Sequence, residues 1–224
     1  MSAAADQLSP GREAPSDGGA AMRVFVRHWS PRILLAAVTL AWTARLALAD
    51  FGLGDLLIVT GLLLYWPLNE WLIHVYILHF RPRQRPGGRR LDLHVARDHR
   101  RHHADPWNLR WVFIPLHVFV WALPALLLVA WMFPSPELGL SFLAAYLSLS
   151  LHYEWTHYLA HINWHPPLAH YARRVREHRM HHFRNHDHWW GVSMGSADQL
   201  LGTAPDPEQV NRGPRELHSR QSQS

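Results

Sequence analysis

Apolar side chains concentrate in four runs, 33–49, 56–80, 111–133 and 138–160, divided by polar or basic segments. A helix rises 1.5 Å per residue and the hydrocarbon core of a bilayer is about 30 Å thick, so about 20 residues cross it. The runs predict an all-α integral membrane protein with four transmembrane helices in two hairpins. The first run is marginal in length, and its one charge, Arg45, must snorkel or pair. In hydrocarbon such runs must be helical, because a helix satisfies its own backbone. The competing reading is a soluble protein with buried helices, and these lengths weigh against it.

The segments between the runs predict an orientation. "DFGLGD" at 50–55 and "PSPE" at 134–137 carry acids and no arginine. The segment 81–110 carries nine arginines. Arg23, Arg27 and Arg32 precede the first run, and Arg173, Arg174, Arg176, Arg179 and Arg184 follow the fourth. The positive-inside rule places both termini and the long basic segment in the cytoplasm, as expected of an inner, cytoplasmic membrane. Residues 1–22 are small, polar and rich in Gly and Pro, and read as a disordered tail without a signal-peptide core. The membrane domain then covers 23–203, and 204–224 reads as a flexible C-terminal tail.

Composition narrows the chemistry. The 224 residues contain no cysteine, which excludes disulfides, thiolate-ligated haem, cysteine-held iron–sulfur clusters and a catalytic thiol. All 22 basic residues are arginine, and the formal charge is +5. These arginines lie between apolar runs, so they point to a membrane surface rather than to nucleic acid. Nineteen histidines and twelve tryptophans are both far above ordinary usage.

Ten of the histidines form a pattern on the predicted topology. His74 and His79 end the second run as H-x4-H. His99, His102 and His103 lie in the basic segment as H-x2-HH. His157 and His161 end the fourth run as H-x3-H, and His178, His181 and His182 follow as a second H-x2-HH. All ten fall on the cytoplasmic side, on a helical cap over the spans. Residues i, i+3 and i+4 share a helix face, so each triple projects three imidazoles from one patch. His74 and His79 converge only if the helix bends, bulges or ends there. Ten nitrogens are too many for one ion and suit two. Neutral imidazole favours iron, zinc, copper or nickel over magnesium or calcium. A histidine-rich transport tract would need a polar path through the spans, which is largely missing. A bis-histidine haem would leave most of the ten unexplained. His152 is an alternative partner for His157, and His186 and His188 lie close enough to contact the site or substrate.

Carboxylates often orient ligating imidazoles. Glu154, three residues before His157 and seven before His161, is the foremost candidate for a catalytic supporting role. Glu70, Asp98 and Glu177 are others. Trp66, Trp71, Trp107, Trp111, Trp155, Trp164, Trp189 and Trp190 are expected to mark the membrane boundary or line access to the site.

With its four histidine boxes in order and the stretch "HHFRNHDHWWGVSMGSADQLLGT" at 181–203, the chain resembles the fatty acid hydroxylase / sterol desaturase superfamily over residues 56–203. The matching closing positions are Trp190, Gly191, Val192, Ser193, Asp198, Gly202 and Thr203. The H-x3-H before the last box is closer to the fatty acid 2-hydroxylase branch than to acyl-CoA desaturases. The resemblance implies two iron ions on the ten histidines, replaceable by zinc in isolated protein. It implies O2 as cosubstrate and insertion of one oxygen into a C–H bond of a membrane lipid: a fatty acyl chain, a sphingolipid, a sterol or a hopanoid. A desaturase or sterol methyl oxidase could use the same site, and a non-redox metal-binding or transport protein is the reading from another class. No His-Pro-Gly-Gly segment is present, since "WHPPLAH" at 164–170 does not match. The expected donor is therefore a separate electron-transfer protein, cytochrome b5-like or a ferredoxin with its reductase. It would be drawn to the basic faces around 81–110 and 173–184.

Overall fold

The computed structural model describes residues 14–211. Its helices are α1 (Gly18–Phe25), α2 (Trp29–Ala47), α3 (Leu53–Leu72), α4 (His94–Ala104), α5 (Leu109–Val112), α6 (Leu116–Trp131), α7 (Pro136–Ala160), α8 (Ala169–Phe183) and α9 (Ser196–Leu200). A π-helical turn, Ile73–Leu78, extends α3. A small antiparallel hairpin pairs β1 (Arg83–Gln84) with β2 (Arg90–Leu91).

Local chemistry sets the boundaries. Asp17 caps α1 by accepting the Ala20 N–H at 2.8 Å. Ser135 caps α7, whose first residue is a proline, where a missing N–H costs nothing. Asp55, in the first turn of α3, accepts the Gly52 N–H at 2.8 Å.

The bundle has two distinct ends. At one, buried Arg45 of α2 donates to Asp55 of α3 at 2.8 Å and to Ser141 of α7 at 2.8 Å. The charge in the first apolar run is thus paired rather than snorkelled. At the other end Ser30 of α2 bonds Glu154 of α7, and the Ile114 N–H before α6 donates to the same Glu154 oxygen at 3.0 Å. These contacts make α2 antiparallel to α3 and α7. A β-carbon on Gly139 would collide with the Ala130 carbonyl, so glycine is what lets α6 and α7 close at the Arg45 end. One cluster, with Leu34, Phe119, Leu143 and Leu147, fills the bundle. A second, with Phe25, Phe113, Tyr158 and Ile162, fills the cap beneath α1 and α8.

Two helical segments, Leu53–Leu78 and Leu109–Trp131, are long and apolar enough to cross a membrane. Four were expected. The other two runs do form helices, α2 and α7, but neither meets that standard. In α2 two arginines, Arg32 and Arg45, lower the hydropathy; in α7 the reason lies in its packing. α7 is the central element, against α2, α3, α6 and α8, and 13 of its residues are buried. A helix enclosed by neighbours can carry Ser141, Ser148 and Tyr146 for interhelical contact, and its mean hydropathy falls.

The tails also depart from expectation. Within 1–22, residues 18–22 belong to α1, with Ala21 fully buried, and residues 1–13 lie outside the described part. An Asp cap and a buried apolar face outweigh the Gly-rich composition there. After 203 the chain continues through a 3-10 turn, Pro207–Gln209, and the Val210 carbonyl accepts Arg184 at 3.1 Å. Residues 212–224 lie outside the described part.

Candidate metal centre

The ten patterned histidines meet where α3, α4, α7 and α8 converge. Among the described residues they form two groups of five: His74, His79, His99, His103 and His181, and His102, His157, His161, His178 and His182. Within each group the ligand-capable atoms lie within 4.8 Å of one another. His152 stacks on His170 instead, with ring centroids 5.9 Å apart.

Helix periodicity explains the partition. On a helix, i and i+4 are about 40° apart, while i+3 lies about 60° to the other side of i. On α4 the i, i+4 pair His99 and His103 serves the first group, and His102 turns to the second. On α8 the pair His178 and His182 serves the second group, and His181 crosses to the first. Each group is completed by one further pair. The pair His157 and His161 sits at the end of α7. The pair His74 and His79 is five residues apart, which an α-helix would splay. The π-helical turn corrects this, with the His79 N–H donating to the His74 carbonyl at 3.0 Å.

The imidazoles face one another through Nε2. His74 and His99 are 3.2 Å apart, His99 and His103 3.1 Å, His102 and His157 3.2 Å, His102 and His182 3.1 Å, and His178 and His182 3.0 Å. Two nitrogens bound to one ion at about 2.0–2.1 Å would be about 2.8–3.4 Å apart. Burial holds His99, His102, His103, His178, His181 and His182 well below the ordinary histidine range, and neighbouring imidazoles add to the effect. They are therefore neutral at physiological pH, the form that binds metal.

Backbone carbonyls, not carboxylates, orient the imidazoles. His74 Nδ1 donates to the Trp190 carbonyl at 2.6 Å, and His181 Nδ1 donates to the His188 carbonyl at 2.8 Å. A carbonyl only accepts, so both rings carry their proton on Nδ1 and present a lone pair on Nε2. The His181 Nε2 atom is buried with no hydrogen-bond partner among the described residues. Between these two carbonyls stands Trp189, in the left-handed region at φ 54°. That conformation costs a bulky residue about 1–3 kcal/mol, and it aims the flanking carbonyls at different rings.

Two buried carboxylates hold this loop. Asp198 accepts the Trp190 N–H at 3.0 Å, the Gly191 N–H at 2.6 Å and the Thr203 hydroxyl at 2.6 Å. Gly191 is pressed so closely against Met194 and Asp198 that a side chain would not fit. Glu70 accepts the backbone N–H groups of Val192, Ser193 and Met194, the Trp66 indole at 2.7 Å and the Ser193 hydroxyl. Glu70 lies four residues before His74, so α3 carries both a ring of the first group and the anchor of the loop that orients it.

The other expected carboxylates stand elsewhere. Glu154 bonds Ser30 and Ile114 rather than an imidazole. Glu177 pairs with Arg173 and Arg174, and Asp98 with Arg101. Sequence spacing put Glu154 on the histidine face of α7, but its side chain reaches across to α2. The tryptophans divide. Trp66 and Trp111 line the cavity beside the centre, as expected, while Trp189 and Trp190 are buried against it, and the ring of Trp190 packs on His74, His79 and His181. Trp29, Trp121 and Trp131 are the exposed ones.

The second group is held mainly by helix packing, with one backbone hydrogen bond, between His157 and Val112. Arg179 of α8 donates to the Ala160 and Ile162 carbonyls at 2.8 and 2.7 Å, capping the end of α7 that carries His157 and His161. Nδ1 of His102, His178 and His182 and both nitrogens of His161 are buried without partners among the described residues.

A cavity of about 320 Å³ opens onto the centre. His74, His99 and His157 stand in its wall with Asn69, Glu70 and Asp98, and mostly apolar residues, many of them from α3, α6 and α7, line the rest.

The chain's relatives agree with this architecture. No curated protein matches it. Among solved structures, full-length Scs7p, of which only the hydroxylase domain is visible, has a similar fold. The TM-score is 0.64 at 18% identity, over 82% of this chain and 68% of that one. The profile of the fatty acid hydroxylase family matches residues 59–203, which include all ten histidines, the loop that orients two of them and both of its anchors, and on that match the chain belongs to the fatty acid hydroxylase family.

Proposed function

We propose that the protein is an O2-dependent di-iron hydroxylase of membrane lipids. The observation that carries this is the pair of five-imidazole groups set beside an apolar cavity whose wall includes His74, His99 and His157. The residues fit two transition-metal ions. The donors are neutral imidazoles, their nitrogens have ligand-to-ligand spacing, and several buried nitrogens lack any other partner. Two iron ions held there would supply the redox chemistry that joins O2, two electrons and two protons to a C–H bond, leaving an alcohol and water.

The chain's own residues do the rest. His74 and His181 are held in the ligating tautomer by carbonyls. The apolar cavity admits a hydrocarbon segment and excludes water from the reacting carbon. Between Val118 and Leu126 it runs eight residues along α6, about 12 Å. That depth suits part of an acyl chain or a polycyclic skeleton. In this reading α2, α3, α6 and α7 all lie in the bilayer, with both chain termini and the centre cytoplasmic. Arginines crowd the histidine end, while the opposite end is built from Arg45, Asp55 and short loops. Electrons come from a separate donor protein, which the basic face around 173–184 would attract.

The test is lipid mass spectrometry of cells with and without the protein, grown under 18O2, with His181→Ala as control. One labelled oxygen gained by a lipid supports the proposal and names the substrate. A lipid that loses two hydrogens without label moves the assignment to a desaturase. No lipid change, with metal that binds and leaves reversibly, returns the protein to non-redox metal handling.

A further inference from the structure

Of the nine arginines between 81 and 110, three are in ion pairs. Arg97 and Arg100 pair with Asp92, Arg101 pairs with Asp98, and two others lie over rings, Arg110 over Trp111 and Arg83 over Phe80. Arg81, Arg83, Arg85, Arg89 and Arg90 are exposed and have no ion-pair partner among the described residues. They are concentrated on the β1–β2 hairpin, where no acid interrupts them. The hairpin is an ordered element: Gln84 pairs with Arg90, the Arg85 N–H donates to the Arg89 carbonyl at 2.8 Å, and Gly87 and Gly88 supply the positive-φ turn. Four arginines, Arg83, Arg85, Arg89 and Arg90, are thereby concentrated on one small ordered element.

Position supplies the second observation. The hairpin follows directly on α3 and its π turn, where Leu64, Leu68, Tyr76 and Ile77 expose apolar surface. Arg81 is three residues beyond Leu78, where the π turn ends, and an arginine side chain carries its charge well away from its own backbone. A lipid-facing helix that leads straight into unpaired arginines puts them at phosphate depth. We propose that the β1–β2 hairpin binds the phosphate groups of anionic phospholipids and so fixes the height of the cavity and the metal centre relative to the bilayer surface. This rests on the reading that α3 lies in the bilayer. It commits the hairpin to lipid rather than to the electron donor, because the arginines continue an exposed apolar face.

The test uses full-length protein in a neutral detergent, titrated with dioleoylphosphatidylglycerol or dioleoylphosphatidylcholine, with bound lipid counted by native mass spectrometry. The anionic lipid is expected to bind about tenfold or more tightly. The R83Q/R85Q/R89Q/R90Q variant is expected to lose that preference, and lysine at the same four positions to recover most of it. Equal binding of the two lipids by the unaltered protein overturns the inference. So does an undiminished preference in the glutamine variant. An acidic protein that binds through these arginines while the lipids do not discriminate assigns the hairpin to that partner instead. Should the glutamine variant fail to fold, single Arg→Gln substitutions give the same test in smaller steps. Lipid retention is read without turnover. An inactive protein that keeps its lipid preference leaves this inference standing, and an active one without it sinks this inference alone.

Discussion

The two five-histidine groups use the same donor and the same two-plus-two-plus-one supply of residues, yet they are held differently. In the first, His74 and His181 are gripped one by one, through carbonyls on a strained loop that Glu70 and Asp198 pin from both sides. In the second, only the ring of His157 meets a backbone group, at Val112, and the other rings are positioned by the helices that bear them, with Arg179 closing the end of α7. Orientation by hydrogen bonds fixes a tautomer as well as a place, whereas orientation by packing fixes the place alone. The first group is thus the more preorganised, and it should load first and release last.

The largest effects come from the ligands. His181→Ala should remove one metal from the first group and His102→Ala one from the second. Each should cut activity to below about one hundredth, since losing a ligand exceeds the 10–100-fold cost of losing its support. Metal analysis of purified protein should fall from two ions per chain towards one in each variant, with the chain still inserted in membranes. A variant that keeps two ions and full activity removes its residue from the centre.

Next come the anchors. Asp198→Asn and Glu70→Gln should weaken metal binding at the first group alone, by about 10–100-fold. Chelator competition should then show one ion leaving early and the other unchanged. Equal weakening of both ions would mean that the loop holds the whole centre and that the asymmetry is false. Arg179→Gln should act on the other side, and less strongly, because it frees two carbonyls rather than a ring. Release from the second group should quicken by no more than about tenfold, or about 1.4 kcal/mol, because only part of the loss of the two Arg179 bonds reaches the rings.

This contrast also marks what could be read from the chain. The ten histidines were legible because their spacing matches the helical repeat, and the need for a bulge at His74 and His79 followed from their five-residue step. The exchange of His102 and His181 between groups was not, because it depends on how α4 and α8 face each other. The orienting groups were invisible for a simpler reason: every residue has a carbonyl, so no side-chain type announces one. Carboxylates drew attention instead, and Glu154 and Glu177 turned out to serve helix contacts. Apolar length found four helices but not their environment, since α7 is wrapped by protein and α2 keeps a buried arginine. Tryptophan was legible in part: Trp66 does line the cavity, but its indole N–H is satisfied deep inside by Glu70 and Ser193 rather than at the membrane surface.

Glu177→Gln should affect the centre least while still costing stability, and that separation is its use. Glu177 adjoins His178 in sequence, but its carboxylate faces Arg173 at 2.8 Å and the buried Arg174. Arg174 in turn is packed against Gly195, at the head of α9, so it braces α8 against the segment that carries Asp198. Neutralising the acid leaves a buried guanidinium with one partner fewer, at a cost of up to about 3 kcal/mol. The thermal midpoint should drop while both ions stay bound, because no ring in either group hydrogen-bonds to Glu177. If one ion were lost selectively, the bracing of α8 would be what distinguishes the groups, and the loop carbonyls would be secondary to it.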